Sequence, residues 1–244
     1  MLTPQEHEDL HVNLEKFLQG VPLPYILSRW EFYGRNFKVT PDVLIPRPET
    51  EMLVELALKH AQNINSYKVV DIGTGSGCIA ISLAAELPAV TVTAVDLSIA
   101  ALLVAKENAK NHNQTHIHFI QADLLSPFSA RFDLICANLP YIPSDDLNNL
   151  PVSQWEPRLA LDGGKSGMET IWRLLDQAKT RVAPNGLILL EIESNLGKAT
   201  LSAAKKVFPN ATIHLIPDLA GLDRIIKIQL TGDLPSQTKE PGYD

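Results

Sequence analysis

The tetrapeptide Asn138-Leu139-Pro140-Tyr141 combines residue types that can activate a weak nucleophile. The side-chain oxygen of Asn138 is one hydrogen-bond acceptor. The carbonyl of Leu139, bent inward by the rigid Pro140, can be a second. Two acceptors suit the two N–H bonds of a planar NH2 group, whose nitrogen lone pair is delocalised into a neighbouring π system. Held by both hydrogens, the nitrogen can face a methyl group in line with a departing sulfur. The acceptors also stabilise the positive charge that grows on nitrogen, and Tyr141 can lie flat against the planar group and exclude water. Asn138, Leu139, Pro140 and Tyr141 are therefore expected to bind the acceptor and to be catalytic. The competing reading is an ordinary Asn-x-Pro turn after a strand.

A donor site is expected beside them. The run Asp71-Ile72-Gly73-Thr74-Gly75-Ser76-Gly77 joins a strand to a helix, where glycines let a ligand approach bare backbone. Its G-x-G-x-G spacing differs from the G-x-G-x-x-G of dinucleotide enzymes. Asp96, at the end of the next strand, can accept both hydroxyls of a ribose. Asp123, after the third, can meet the exocyclic amine of an adenine, with Leu124 as an apolar wall. Any one of these acids alone fits a cap or turn. Together they sit at successive strand ends along one sheet edge, where open α/β sheets bind ligands. The expected cofactor is S-adenosylmethionine, with S-adenosylhomocysteine as product. It is held by Gly73, Thr74, Gly75, Ser76, Gly77, Asp96, Asp123 and Leu124, with Asn138 at its border. Asp71 is expected to bear on the positively charged methionine end, directly or through water.

Other residues are less specific. Arg47 suits either an anchor for substrate or active-site loop, or a structural salt bridge. Glu191 and Glu193 alternate at a strand end, so Glu191 can approach the site. Cys136 reads as a packing thiol. His112, His116 and His118 lack ligand-spacing logic, and no metal is expected.

The elements that must position these groups follow from periodicity. A capped helix begins at Thr3-Pro4, with Glu6 completing a capping box and Leu10, Leu14, Phe17 and Leu18 forming an apolar stripe. Val21 to Leu27 is read as too proline-rich for a helix. Glu31 to Val39 reads as a hairpin, and Leu44 to Glu51 as a stiff loop before a helix from about Thr50 to Gln62. Strands are predicted at Lys68–Ile72, Thr91–Asp96, His116–Ile120, Phe132–Ala137, Gly186–Ile192, Ala211–Ile216 and Arg224–Leu230. Helices are predicted at Gly77–Glu86, Ser98–His112, Gly167–Val182 and Leu196–Val207. The alternation implies a doubly wound, mostly parallel seven-stranded α/β sheet. Pro217 to Gly221 is too short for a helix, so the last two strands form a reversed hairpin. That is the architecture of class I methyltransferases, a Rossmann-like fold.

Composition sets the remaining bounds. With 244 residues, the chain divides into an N-terminal helix, hairpin and connector (1–48), a catalytic domain (49–232) and a flexible tail (233–244). A net charge of −7 gives no support for broad phosphate-backbone binding, so nucleic acid is not the expected partner. Two distant cysteines, a polar N-terminus and the lack of a long apolar run point to a cytoplasmic enzyme without a membrane span, expected to be a monomer.

From Leu2 to about Leu230 the chain resembles the release-factor glutamine N(5)-methyltransferases. Leu44-Ile45-Pro46-Arg47-Pro48-Glu49-Thr50-Glu51 is close to that family's loop before the cofactor domain. Asp71 to Gly77 matches its cofactor loop. Trp155-Glu156-Pro157-Arg158-Leu159-Ala160-Leu161 with Gly163-Gly164, and Asp218 to Arg224, resemble two later segments. The resemblance implies methylation of the glutamine in the Gly-Gly-Gln tip of a peptide-chain release factor, which would then be the partner. Two departures stand out. Leu139 replaces the usual first proline of Asn-Pro-Pro-Tyr, and the chain begins near the last helix of the family's N-terminal domain. Asn-Leu-Pro-Tyr also occurs in ribosomal-RNA adenine dimethyltransferases, so adenine N(6)-methylation is one alternative. A non-catalytic cofactor-binding module is the other.

Overall fold

In the computed structural model, which describes residues 2–61 and 67–232, helix α1 (Pro4–Leu18) opens with the complete capping box of Thr3 and Glu6. Its apolar stripe stays in solvent, with Leu10, Leu14, Phe17 and Leu18 all exposed and no α1 residue buried. Periodicity identified the face but not a partner for it. The proline-rich segment after α1 departs from expectation, because Leu23–Leu27 forms a short helix, α2. Pro22 caps it and Pro24 lies in its first turn, where a missing N–H removes no intrahelical bond.

The hairpin is present as β1 (Arg29–Phe32) paired with β2 (Arg35–Lys38). A single 3-10 turn at Pro48–Thr50 then leads into α3 (Glu51–Ala61). The predicted helix end at Gln62 and the tail from 233 lie outside the described residues.

The remaining elements alternate. They are β3 (Lys68–Ile72), α4 (Cys78–Glu86), β4 (Thr91–Asp96), α5 (Ile99–Asn111), β5 (His118–Gln121), β6 (Phe132–Asn138), α6 (Arg158–Leu161), α7 (Glu169–Arg181), β7 (Val182–Glu191), α8 (Gly197–Val207), β8 (Thr212–Pro217) and β9 (Asp223–Gln229). One seven-stranded sheet has the order β5-β4-β3-β6-β7-β9-β8. Only the β9 pairings are antiparallel.

The sheet is buried on both faces, which is why its strands read as apolar runs. Val69, Leu134, Cys136, Leu187 and Leu189 face a core completed by α3 and α4. Their neighbours Val70, Ile135, Ala137, Ile188 and Leu190 face a second core with α7 and α8. The two-residue period places Asn138 and Glu191, at the ends of β6 and β7, on the α3 side. Helix α2, through Tyr25, and the connector after β2, through Val39, Val43 and Ile45, pack on α5 at Ala101 and Val104. Among the described residues no helix is long and apolar enough to cross a membrane.

Because α1 buries nothing, Leu14→Ser should change unfolding free energy by less than about 0.5 kcal/mol. Leu53→Ala in α3 should cost about 2–5 kcal/mol. Denaturant titration of both variants measures the contrast.

Candidate active site

The carboxyl ends of β3, β4, β5 and β6 open onto one cleft. It is lined by the loop after β3, by Asp96, by Asp123 and Leu124, and by Asn138 to Pro140. Val43 to Pro46 and Thr50 cover it from one side, and Pro157 to Asp162 from another.

The loop Gly73 to Ser76 lines the cleft and is pinned from behind. The Gly73 and Thr74 N–H groups both donate to the Val95 carbonyl, at 2.8 and 2.9 Å. Asp71, fully buried, accepts from the Thr74 hydroxyl at 2.7 Å and from the Ala80 N–H at 3.2 Å. Its other oxygen, Oδ1, is buried without a partner, and burial pushes the carboxyl up to about 7. Asp71 therefore sits behind the cleft wall and braces the loop. Gly77 also departs from expectation, because it does not line the cleft. A Cβ there would lie 2.9 Å from Ile81 Cδ1 and 3.1 Å from Ala105 Cβ, so this glycine serves the packing of α4 on α5.

Asp96 is held ready by backbone. Oδ2 accepts from Gly75 N–H and Oδ1 from Ser98 N–H, both at 2.9 Å. Each carboxylate oxygen keeps a lone pair, so two further donors can be taken. Burial raises its pKa, and the two amides oppose that rise. Asp123 reaches the cleft rim as expected, already paired with Arg173 of α7, a partner absent from the sequence reading. Leu124 is buried against Val95 and Ile72, in a left-handed backbone conformation.

At the other end of the cleft, Asn138 donates from Nδ2 to Thr50 Oγ1 at 3.1 Å. Thr50 is buried at the entry to α3 and also lies against the Glu191 carboxylate. Asn138 and Glu191 are direct partners in the β6–β7 register. With Nδ2 donating to Thr50 and Glu191 its neighbour across the strands, Asn138 is left with Oδ1 to offer the cleft. Glu191 is 2% exposed, with Oε2 buried and unpartnered, and burial pushes its pKa up to about 7. Sequence had indicated only that Glu191 could approach, and Thr50 was missed. A β-branched hydroxyl at a helix entry reads as a cap, and nothing local points to a residue 88 positions away.

Leu139 is buried, with Cδ2 against the Gly73 position, and its carbonyl accepts no hydrogen bond from the described residues. Tyr141 does not line the cleft. Its hydroxyl is pushed up to about 12, first by burial and then by Glu191 and Glu193. Arg224 and Arg47 act in the opposite direction.

The Pro140–Tyr141 backbone is shaped by the segment after α6. Ile142 N–H donates to Leu161 at 3.0 Å, and Gly163 N–H returns a bond to Ile142 at 2.8 Å. A Cβ on Gly163 would stand 2.8 Å from the Pro140 oxygen. One on Gly167, where φ is +78°, would run into the Tyr141 carbonyl. Arg47 ties the two covering segments together, donating to Glu156 at 2.6 Å, a structural salt bridge to a buried acid. His112 is likewise structural, with Nε2 at 2.8 Å from the Asn36 carbonyl.

Residues 49–150 match the family model described as methyltransferase small domain. The chain is similar to a release factor glutamine methyltransferase from Moorella thermoacetica, with 43% identity over 86% of this chain and 76% of that one. A solved protein-(glutamine-N5) methyltransferase (release factor-specific) from Alicyclobacillus acidocaldarius is 29% identical, with a TM-score of 0.50, over 80% of this chain and 99% of that one. A methyltransferase from Pyrococcus furiosus, at 17% identity and a TM-score of 0.61 over 95% of this chain and 100% of that one, shares the fold. Identity of this degree over most of both sequences, on a class I methyltransferase fold, means that the chain belongs to the release factor glutamine methyltransferase family.

Proposed function

We propose that the protein moves a methyl group from S-adenosylmethionine to the side-chain amide nitrogen of a protein glutamine, that of the Gly-Gly-Gln tip of a peptide-chain release factor. The observation that carries this reading is the Asn138 side chain, tethered through Nδ2 so that Oδ1 is what it presents at the cleft.

The cleft suits the cofactor. At Gly73 a Cβ would lie 3.3 Å from Leu139 Cδ2 and 3.5 Å from the Asn138 carbonyl, so bare backbone keeps the passage between donor and acceptor ends open. Asp96 offers two acceptor sites to ribose hydroxyls. Asp123 and Leu124 line the cleft and would meet the edge and face of an adenine, and Gly73 to Ser76 would hold the methionine part. When bound, the cofactor supplies an electrophilic methyl group on a sulfonium sulfur.

Asn138 Oδ1 and the Leu139 carbonyl each accept one N–H of the substrate amide. They turn the nitrogen toward the methyl group and stabilise its growing positive charge. Pro140 and the Gly163 segment keep the Leu139 carbonyl in place although residue 139 lacks a proline ring. Bound in the cleft, the cofactor would supply the methyl group and its sulfur would keep the electron pair of the broken bond, while the amide nitrogen would give its lone pair to the new N–C bond and its surplus proton to water. Tyr141 shields the acceptor side from solvent.

Incubation with labelled S-adenosylmethionine, a purified release factor and, separately, RNA tests the reading. Label is expected on the release factor, and label on RNA alone would overturn it. Asn138→Ala should lower kcat by about 100-fold or more with cofactor affinity within about twofold. Asp96→Ala should instead weaken cofactor binding by about tenfold or more, the loss of two charge-assisted hydrogen bonds, measured by calorimetry.

A further inference from the structure

The buried carboxylate of Glu191 has no task in the scheme above. It is 2% exposed, its Oε2 has no hydrogen-bond partner, and it lies beside the two residues that set the acceptor clamp. An unsatisfied buried carboxylate is expensive to keep unless it serves something.

We infer that Glu191 and Thr50 are positioning residues for methyl transfer, which lock the Asn138 amide with its oxygen toward the substrate. This rests on the glutamine-methylation reading.

The argument is one of donors and acceptors. Asn138 donates from Nδ2 to Thr50 Oγ1 at 3.1 Å. A threonine oxygen that accepts still has its own hydrogen to give, and the group facing it is Glu191. An ionised carboxylate only accepts. It therefore draws in the Thr50 hydroxyl hydrogen and the second Nδ2 hydrogen, and repels Asn138 Oδ1. The flipped amide would set Oδ1 against the carboxylate and turn N–H groups toward an NH2 substrate, where nothing could accept its hydrogens. The β6–β7 register brings Asn138 and Glu191 side by side, and the entry to α3 brings Thr50 over both.

Protonation would dissolve the lock, because a carboxylic acid can donate to Thr50 Oγ1 or to Asn138 Oδ1. The groups facing Glu191 are Glu49 before α3, Arg224 on β9, Tyr141 after β6 and Cys78 at the start of α4. Burial holds the tyrosine and the thiol near 12, so both stay neutral around neutrality. Glu191 and the loop-bracing Asp71 are the buried acids raised to about 7. The ionised form of Glu191 is the orienting one, so kcat should climb with pH through that value.

The test measures kcat, KM for release factor, cofactor affinity and the kcat–pH profile from about pH 6 to about pH 8, for wild type, Glu191→Gln, Thr50→Val and Thr50→Ser. Glu191→Gln should lower kcat about 10- to 100-fold, with cofactor affinity unchanged, and should erase the acid limb. Thr50→Val should lower kcat comparably, while Thr50→Ser, which keeps the hydroxyl, should restore it to within about threefold. Glu191→Gln with wild-type kcat and an intact acid limb would overturn the proposal and leave Asp71 as the source of that limb. If Glu191→Gln does not fold, the threonine pair decides alone, and equal activity of its valine and serine forms overturns the proposal. A wild type that methylates no release factor would instead sink the glutamine reading and this proposal with it.

Discussion

Asn138 ends β6 directly opposite Glu191 on β7, and both side chains leave the sheet toward the entry of α3. An amide beside a buried carboxylate has one favourable orientation, with its N–H groups toward the acid. The rest of the cleft is arranged around that constraint. The 3-10 turn at Pro48–Thr50 brings a hydroxyl to the pair, and the Asp71-braced loop brings bare backbone to the other side of Asn138. The sheet contributes by ending four parallel strands at one edge, so that groups far apart in sequence meet within one cleft.

The segments that cover the cleft depend on close backbone approach rather than on large apolar contacts. Gly163 and Gly167 leave room for the Pro140–Tyr141 backbone, and the bonds between Ile142, Leu161 and Gly163 hold the two stretches together. This support holds the loop after β6 although residue 139 carries no proline ring. Loop rigidity comes from a neighbouring strand-like contact instead of a ring. The Arg47–Glu156 pair performs the same service for the opposite side, over a separation of 109 residues.

Most of the sheet was legible because a strand buried on both faces has a distinctive run of apolar residues, as in Leu134 to Ala137 and Leu187 to Leu190. The reversed final hairpin was legible because Pro217 to Gly221 leaves no room for a crossover. The α2 helix was not, since Pro22 and Pro24 lower helix propensity everywhere except at a first turn. Site residues that act through strand ends, such as Asp96 and Asn138, could be read from their position after an apolar run. Those whose role is set by packing could not. Gly77 looked like the rest of its loop until α5 was seen to press on it, and Asp71 looked like a ligand group until the loop was seen to close over it. Asp123 lines the cleft rim, and its Arg173 partner comes from a helix 50 residues away.

Holding two carboxyls away from water has a further thermodynamic consequence. Asp71 and Glu191 have folded-state pKa values raised by burial to about 7, well above those of the same side chains in an unfolded chain. Near neutrality the native protein thus binds more protons than the unfolded one. Their contribution to stability is fully present below the unfolded values near 4 and drains away as the solution is made alkaline through about 7. The apolar layers on either side of the sheet offset that loss, which is complete once both groups have ionised above about 7.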